Sequence, residues 1–343
     1  MLHPLKRIGI FTAAVVILAV LSLLFIHYNS PPDSIGSENP GEESYLFVVS
    51  QGESVYRIGR NLRKNNHIRS NRFFVMVVRM RRLAGKIKAG EYRIESRFRT
   101  TEIIDILTAG VVVTQKFTIP EGFHMKQIAE VLDQSGIVNG DEFLNACQDT
   151  SILVKYAIPF HSAEGYLYPD TYIVAKGLPA EQIVTLMIDH FFEEIRSIPA
   201  SEYSDEELGD VVIIASLVER EAKIESERPI IAAVFYNRLM NEKRLESCAT
   251  VQYVLGKTKE RLLLSDLKVE SPYNTYLHKG LPPGPIANPG VHSIRAAMYP
   301  AEVGYLFFVS KRDGSHHFST TYKEHLKAIE QYNRAGAVGH QIS

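Results

Sequence analysis

A largely apolar run from Ile8 to Ile26, preceded by Lys6 and Arg7, constrains this chain more than any other sequence feature. At about 19 residues, the run is long enough to cross the hydrocarbon core of a bilayer as one helix. Because flanking positive charges favour the cytoplasmic side, we expect everything after His27 to be exported. A cleavable signal peptide is the alternative, but it would have a shorter apolar core and an A-x-A-like cleavage site, which is not evident here.

The sequence therefore predicts a single-pass protein of the cytoplasmic (inner) membrane with its N-terminus in the cytoplasm. Residues 1–28 would form the cytoplasmic tip and the membrane anchor. Residues 29–44 are rich in Ser, Pro, Gly, Asp and Glu and lack apolar periodicity, which is typical of a flexible linker. The lipid bilayer is thus the first predicted partner.

Composition describes an ordinary globular protein attached to that anchor. The chain has 343 residues, a formal net charge of −1 and 45% hydrophobic residues, which leaves room for two domains. A net charge so close to zero argues against nucleic acid as a partner. Cys147 and Cys248 are the only cysteines and form no C-x-x-C motif, so we expect no metal or other cofactor; the sequence leaves open whether they pair.

One pattern occurs twice, at an offset of 70 residues. Each copy is expected to contain a short strand, a Gly turn, an amphipathic helix and a second helix. The second helices are expected to begin after Asn71 and Asp141. The matched pairs are Gly52 and Gly122, Ile58 and Ile128, Leu62 and Leu132, Ile68 and Val138, and Phe73 and Phe143.

The segment between the two copies completes the first unit. Residues Ala89 to Ile94 predict a strand, and Thr101 to Gly110 predict a short helix with a Gly C-cap. The resulting β-α-α-β module, residues 45–113, resembles a LysM module in its layout and in the phrases VVSQGES…IGRNL and KAGEYRI. That resemblance implies binding of N-acetylglucosamine, but a purely structural spacer is an equally open interpretation because fold alone does not establish function.

The phrase EGYLYPDTY, from Glu164 to Tyr172, allows two interpretations. Tyr rings beside a carboxylate suit a carbohydrate groove, whereas Pro169 and Asp170 are typical turn residues. From these residues alone, the turn is favoured.

The segment DEELGDVVIIASLVEREAKIESE predicts a helix with acidic residues in its first turn. Its apolar run from Val211 to Val218 indicates burial in the core. A carboxyl group at the end of such a helix is costly to ionise, so its pKa should rise and it can donate a proton near neutral pH. Glu219 shares a face with the small residues Ala215 and Ala222, which favours it over Glu221. The competing interpretation is an ion pair with Arg220, Lys223 or Arg228.

Several phrases further along the chain change that balance. They are ASLVEREA (215–222), AAVFYNRL (232–239), ATVQY (249–253), SPYNTYLHKGLPPGPIANPG (271–290) and HHFSTTYKEH (316–325). In this order and at these distances, they resemble the YceG-like, or endolytic murein transglycosylase, family. The resemblance covers the chain from the anchor to about residue 329, and it implies that Glu219 is the catalytic acid.

The resemblance implies an α+β lytic transglycosylase that cuts the MurNAc-β-1,4-GlcNAc bond of peptidoglycan. Glu219 would protonate the glycosidic oxygen while the N-acetyl carbonyl of the sugar stabilises the developing positive charge. The resulting carboxylate would then take the proton of the C6 hydroxyl as that hydroxyl attacks C1. A 1,6-anhydro end forms and no water is consumed, so a second carboxylate of the kind that glycosidases use is not required.

The same motifs supply candidate substrate-binding residues. The Y-N-T-Y segment would line the groove, and the Pro- and Gly-rich loop after it would form a pre-shaped wall, although a rigid structural loop is the alternative. The candidates are Tyr236, Asn237, Gln252, Tyr273, Asn274, Thr275, Tyr276, Pro283 and Asn288. Some relatives carry Asp where this chain has Cys248, which weakens a two-acid mechanism; Glu246 and Asp170 are possible auxiliary carboxylates.

Near the C-terminus, YLFFVSKRDGSHHFS predicts a hairpin with its turn around Asp313 and Gly314. His316 and His317 would point to opposite faces of a strand, which disfavours one shared metal ion. A third function class is an exported hydrolase or peptidase that acts on wall peptides, but no H-E-x-x-H or G-x-S-x-G motif supports it.

We therefore predict an anchor, a linker, the LysM-like module and a mixed α+β catalytic domain at residues 114–335, followed by a tail at 336–343. Residues 114–150 of the catalytic domain repeat the pattern of the module. The resemblance also implies work on nascent glycan strands beside peptidoglycan synthases, the penicillin-binding proteins. The alternative from another class is a noncatalytic peptidoglycan-binding anchor that recruits those synthases.

Overall fold

The computed structural model describes residues 4–32, 44–110, 113–198, 204–257, 259 and 262–338. The chain divides into two compact units, one of Met1–Gln115 with Ile173–Leu178 and the other of Lys116–Tyr172 with Pro179–Ser343. Most of the predicted linker and the predicted tail lie outside the described residues. The mixed α+β class is confirmed.

The first unit contains α1 (Pro4–Asn29), β1 (Ser44–Val49), α2 (Val55–Lys64), α3 (Asn71–Met80), β2 (Gly90–Glu95) and α4 (Thr100–Ala109). The two strands pair antiparallel, with Ser44 opposite Glu95 and Val49 opposite Gly90. The predicted strand and helix after the first copy are therefore confirmed. Gly110 ends α4 with φ of +74°, as expected for a C-cap that must adopt the left-handed conformation.

Helix α1 carries the predicted apolar run. Its segment Thr12–Asn29 has a mean hydropathy of 2.0 and is unburied by the rest of the chain. By length and composition, α1 is a candidate for a single membrane span, which agrees with the predicted anchor.

The second unit is mainly helical. It contains α5 (Met125–Gln134), α6 (Gly140–Ala146), α7 (Thr150–Lys155), α8 (Ala180–Arg196), α9 (Asp205–Glu221), α10 (Arg228–Met240), α11 (Cys248–Leu255), α12 (Val291–Met298) and α13 (Tyr322–Val338). A hairpin of β5 (Phe307–Ser310) and β6 (His316–Ser319) confirms the predicted C-terminal hairpin. The strands β3 (Thr114–Thr118) and β4 (Thr171–Ala175) form a third two-stranded sheet, and the boundary between the units falls within both.

The predicted repeat is present in the structure. Each copy is a strand followed by a Gly with positive φ, +74° at Gly52 and +76° at Gly122, and then two helices. The matched apolar pairs are buried except for Val138, which is half-buried: Ile58 and Ile128, Leu62 and Leu132, Ile68 and Val138, and Phe73 and Phe143. Apolar periodicity was therefore sufficient to place both helices of each copy.

Candidate active site

Helix α9 positions Glu219 at the C-terminal end of a buried helix. Ser204 caps the N-terminus in a reciprocal capping box with Glu207, and residues Val211 to Val218 are all buried. The helix ends at Glu221, because Ala222 adopts an extended conformation; the predicted helical segment is therefore six residues too long. Glu219 thus lies where the buried part of the helix gives way to more accessible residues.

Two donors hold one oxygen of the Glu219 carboxyl group. Oε2 accepts a hydrogen bond from Arg228 Nη1 at 3.1 Å and another from the backbone N–H of Gly290 at 3.1 Å. The Glu219 side chain is only 6% exposed. Among the described residues, no donor bonds the second oxygen, Oε1. The carboxyl group is thus fixed through Oε2, whereas Oε1 has no donor among these residues.

Arg228, the first residue of α10, makes the ion pair that was the competing interpretation of Glu219. Its Nη1 also bonds the hydroxyl of Ser293 on α12, which fixes the guanidinium between two helices. Arg228 Nε is buried and has no hydrogen-bond partner among the described residues. The ion pair of the competing interpretation is therefore present, and Arg228 retains one further donor without a partner among the described residues.

Glu121 is a second carboxyl group at this site, and sequence reasoning missed it. A Cβ atom at Gly290 would collide with the Glu121 carboxyl group, so this carboxyl and Glu219 both contact Gly290. Burial, and then the neighbouring charge of Glu219, raise the pKa of Glu121, while Arg228 opposes the shift. Glu121 is nevertheless among the exposed residues. The sequence did contain a signal, because Glu121 stands where the first copy carries Gln51.

Glu221, the other carboxyl candidate on α9, is used differently. Its Oε1 accepts hydrogen bonds from the hydroxyl of Ser247 at 2.6 Å and from the N–H of Ala249 at 3.4 Å. Glu221 therefore caps the N-terminus of α11, where the Ser247 side chain provides no cap of its own. Glu221 thus has a structural use, and the choice of Glu219 as the acid stays a prediction.

A small cavity of about 120 Å³ lies beside Arg220, the neighbour of Glu219. Gln252, a predicted binding residue, lines this cavity together with His124 and Tyr253. His124 Nδ1 accepts the N–H of Gln127, and burial followed by the charge of Arg220 lowers the pKa of His124. Arg220 donates to the carbonyl of Gly122 at 3.2 Å, which connects the cavity wall to the turn beside Glu219.

Glu164 is a buried carboxyl group that ties three segments of the second unit together. It accepts hydrogen bonds from the N–H of Met125 at 3.0 Å, from Asn288 Nδ2 at 2.9 Å and from the Tyr253 hydroxyl at 3.5 Å. Burial raises its pKa to about 8. The predicted residue Asn288 is itself fully buried, and its amide oxygen accepts the N–H groups of Gly165 and Leu167. Both side chains shape the loops around the site.

Most other predicted binding residues hold neighbouring backbone or side chains in place. The Tyr236 hydroxyl donates to the Ala297 carbonyl, and Asn237 donates to the carbonyls of Val303 and Tyr305.

The Y-N-T-Y segment is tied down in a similar way. Asn274 is fully buried, and its amide nitrogen bonds the carbonyls of Leu267 and Val269. Thr275 bonds Thr250 and Ser247. Tyr276 contacts the thiol of Cys248 at 3.1 Å.

Tyr273 and Pro283 differ from the buried, hydrogen-bonded Asn274 and Thr275 in being more exposed. Tyr273 is half-buried, and its ring lies tilted against that of Tyr253 with 5.1 Å between the ring centroids, while Pro283 is exposed. Tyr273 is thereby placed next to a residue of the cavity wall. Direct sugar contact by any of these residues stays a prediction.

The two possible auxiliary carboxylates have other partners in the structure. Asp170 bonds the N–H of Thr171 and faces His190, and Glu246 pairs with Arg238. In EGYLYPDTY, Tyr166 is buried in the core and Tyr172 donates to the Tyr168 carbonyl, which agrees with the favoured turn interpretation.

The adjacent histidines and the cysteines also have distinct surroundings. His316 is buried and bonds Glu227, whereas His317 faces Tyr332, so the two rings point to different sides as expected. Cys147 is buried, Cys248 is exposed, and both are free thiols.

Comparison with known proteins gives consistent results. The family model described as "YceG-like family" matches residues 47–331. The chain is similar to the "Endolytic murein transglycosylase" of Bacillus subtilis (strain 168), with 32% identity over 312 residues that cover 86% of each chain. It is also similar to the protein of the same name from Streptococcus pneumoniae (strain ATCC BAA-255 / R6), with 26% identity over 92% of this chain. The chain spans 64% of the length of that pneumococcal relative.

A solved structure shares the fold. The 2.6 Å crystal structure of a putative YceG-like protein from Listeria monocytogenes is 32% identical, with a TM-score of 0.54. The match covers 83% of this chain and 99% of the Listeria chain. The aligned part therefore extends across most of both molecules.

Proposed function

This chain belongs to the YceG-like family, and we propose that it is a membrane-anchored endolytic lytic transglycosylase with Glu219 as its acid and base. Its curated relatives are named for murein transglycosylase activity, so the chain is an enzyme of the lyase class that acts on peptidoglycan. The noncatalytic anchor is therefore set aside. The finer assignments, which are the bond cut, the residue that acts and the location, are proposals.

The observation that carries the assignment is the asymmetric environment of the Glu219 carboxyl group. Oε2 is held by Arg228 and Gly290, whereas Oε1 has no donor among the described residues. A carboxyl group fixed through one oxygen keeps its other oxygen in a constant position, which is what proton transfer to a bound sugar requires. Glu219 would protonate the glycosidic oxygen through Oε1 as the bond to C1 breaks.

The second half of the reaction uses the same carboxyl group. The N-acetyl carbonyl of the sugar would stabilise the positive charge that develops at C1. Glu219, now ionised, would accept the proton of the C6 hydroxyl while the oxygen of that hydroxyl bonds C1. The products are a 1,6-anhydro-MurNAc end and a free GlcNAc hydroxyl, and the carboxyl group regains its proton. Arg228 would support the ionised form through its charge.

Glu121 adds a second carboxyl group to this scheme. Its raised pKa lets it carry a proton closer to neutral pH than an ordinary Glu, and it contacts the same glycine as Glu219. We assign it the role of a positioning residue that acts through Glu219 and Gly290. A two-carboxylate hydrolase would instead use it to activate water and would produce reducing ends.

The location is also part of the proposal. Helix α1 would hold the enzyme in the cytoplasmic membrane with its N-terminus inside, so that the chain after the helix lies on the side of the nascent glycan strands. Tethering raises the local enzyme concentration where penicillin-binding proteins extend those strands, which suits termination of growing glycan.

The test is mass spectrometry of peptidoglycan digested by the detergent-solubilised full chain and by Glu219→Gln. The proposal expects anhydro-MurNAc ends from wild type and none from the variant. Glu53→Gln, in the turn of the first copy, is the matched control and should leave the products unchanged. Reducing ends from wild type would contradict the transglycosylase mechanism, and undiminished cleavage by Glu219→Gln would contradict the role of Glu219.

A further inference from the structure

The C-terminal end of the apolar helix α1 contacts the other helices of the first unit. The ring of Phe25 lies 5.3 Å from that of Phe73 on α3, and the Tyr28 ring lies 6.2 Å from it. Asn29 Oδ1 accepts the N–H of Thr101 at 3.0 Å, at the start of α4. Helix α1 therefore leads directly into this unit.

Further hydrogen bonds extend this attachment. The Tyr28 carbonyl accepts the hydroxyl of Thr100 at 3.1 Å, and the Pro31 carbonyl accepts Arg69 Nε at 2.9 Å. Phe25 lies four residues before the end of α1, which corresponds to about 6 Å along the helix axis. If α1 crosses a bilayer, Phe73 and the surrounding part of α3 are held at the boundary of the hydrocarbon and the headgroups.

An exposed face of α3 combines arginines with large apolar side chains. It lines a shallow groove of about 450 Å³ with Tyr56 of α2. Met76 is 45% exposed and Met80 is 74% exposed. Neither Arg72 nor Arg79 has an ion-pair partner among the described residues. We call this face the α3 patch; it consists of Tyr56, Arg72, Met76, Arg79 and Met80.

The α3 patch adjoins the side of the helix that contacts α1. At 3.6 residues per turn, Met80 projects within about 20° of Phe73, and Met76 lies between Phe73 and Arg72. The methionines are therefore nearest to the anchor contact and the guanidinium groups follow them around the helix. Apolar side chains next to basic ones are typical of a helix that lies in a membrane interface.

The charge of the whole module has the sign that such a surface needs. Residues 45–113 contain 14 Lys and Arg residues against five Asp and Glu residues, a net charge of +9 in a chain whose total is −1. A basic juxtamembrane surface is attracted to anionic lipids, and guanidinium groups bond phosphate through two N–H groups. Charge complementarity therefore selects an anionic phospholipid surface among possible occupants.

We propose that the α3 patch binds the anionic phosphate headgroups of the bilayer that α1 enters, so that the first unit lies against the membrane surface. This inference rests on the proposed membrane anchoring. It gives the first unit a role that does not depend on sugar binding. Residues 45–113 would themselves hold the chain at the lipid surface where it emerges from the membrane.

Because the chain contains no tryptophan, single Trp variants report their own position without background. Met76→Trp probes the α3 patch. Val48→Trp is the matched control, since Val48 is 60% exposed on β1 while its neighbours Phe47 and Val49 face the core. Each full-length variant is reconstituted in nanodiscs of phosphatidylcholine with or without phosphatidylglycerol, the lipids being brominated near the top of the acyl chains.

The proposal expects bromine quenching of Met76→Trp in the anionic discs to exceed that of Val48→Trp by at least about twofold, and to fall at high salt. Adding Arg72→Gln and Arg79→Gln should remove most of that excess. Arg93→Gln with Arg97→Gln removes the same charge from β2 and the following turn and should remove much less. Equal quenching of both Trp positions, or equal quenching of Met76→Trp with and without phosphatidylglycerol, would overturn the proposal.

Two further readouts separate this inference from the proposals on which it depends. Retention of the chain in purified nanodiscs reports insertion of α1, so a chain that is lost from the discs contradicts the anchor. Anhydro-MurNAc formation from soluble glycan by the Arg72→Gln, Arg79→Gln variant in detergent should equal that of wild type. A chain that is retained in the discs but shows no excess quenching contradicts the α3 patch alone.

Discussion

The two copies of the strand, Gly turn and helix pattern have nearly the same local structure and very different surroundings. A Cβ atom added to Gly52 in the first copy would meet no atom within 4 Å, whereas one added to Gly122 would lie 3.5 Å from Cγ of Glu219. The residue before the glycine is Gln51 in one copy and Glu121 in the other. The comparison shows that one local pattern can serve as a plain turn or as a wall of a candidate active site, according to what packs against it.

The largest expected effect is on catalysis in the second unit. Glu219→Gln should reduce the rate of anhydro-MurNAc formation by about 10²- to 10⁴-fold, because general acid–base catalysis contributes that much. The rate is measured by chromatography of released fragments under conditions where wild type is linear in time. Glu53→Gln should retain the wild-type rate. A comparable loss in both variants would mean that the loss is not specific to Glu219.

The next effect comes from the turns themselves. Gly52→Val and Gly122→Val should both destabilise the chain by about 1–2 kcal/mol, because both positions have positive φ. Only Gly122→Val adds a branched side chain against Glu219. The rate of this variant should therefore be lower than that of Gly52→Val by about 10²-fold, since small displacements of catalytic groups are costly. Thermal unfolding and the rate assay are run on both variants. Equal activity losses would mean that the two turns are equivalent.

A smaller effect is expected at Glu121, which replaces Gln51 in the comparison. Glu121→Gln should lower the rate by about tenfold and remove one ionisation from the pH–rate profile, because a carboxyl group beside Glu219 no longer titrates. Gly290→Ala should act in the same direction, since its methyl group would displace the Glu121 carboxyl group. Gln51→Ala is the control. A pH–rate profile of Glu121→Gln that superimposes on that of wild type would exclude this role.

The smallest effect concerns stability rather than rate. Burial raises the pKa of Glu164 from 4.5 to about 8. Between those values the folded chain holds a proton that the unfolded chain has lost, so this group makes stability fall as pH rises through that window. Glu164→Gln keeps an uncharged acceptor for Met125 and Asn288 and should flatten the dependence. Thermal unfolding of both proteins from about pH 5 to pH 9 measures it, and parallel curves would contradict the assignment.

Much of the fold could be predicted because its determinants are local. The apolar periodicity of each copy and the C-cap at Gly110 placed helices near their observed bounds, and Ser54 and Ser70 cap the two helices of the first copy in the structure. The end of α9 was misplaced because residues after Glu221 also have helical propensity. In the structure Ala222 and Ile224 are extended, and Glu225–Glu227 form a separate short 3-10 helix.

The site was predictable only in part. Glu219 was selected as the candidate acid from a buried helix that ends in a carboxyl group, together with the family resemblance, and its catalytic role stays a prediction. Asn274 and Asn288 were selected as sugar ligands from their motifs, yet their amides bond the surrounding loops. Side-chain type and spacing do not distinguish an amide that faces a ligand from one that holds a loop, because that depends on the direction in which the loop closes.

The net charge gives a similar lesson. A total of −1 suggested a chain without strong electrostatic preferences, but the basic residues are concentrated in residues 45–113. A sum over the whole chain hides such a separation. The distribution of charged residues along the sequence, together with the exposure of Arg72 and Arg79, shows where the chain can attract an anionic partner.

The sequence by itself determined the apolar helix, the duplicated pattern and the α+β class, and it selected Glu219 as the candidate acid, because these depend on local periodicity, turn chemistry and motifs that are contiguous in the chain. Only the tertiary structure decided that Glu121 and Gly290 meet at Glu219, that Glu164 joins Asn288 to Tyr253, and that Phe73 meets the end of α1. These contacts join residues far apart in the sequence. They arise only when the apolar faces of separate helices pack together, since packing, and not local propensity, fixes which side chains become neighbours.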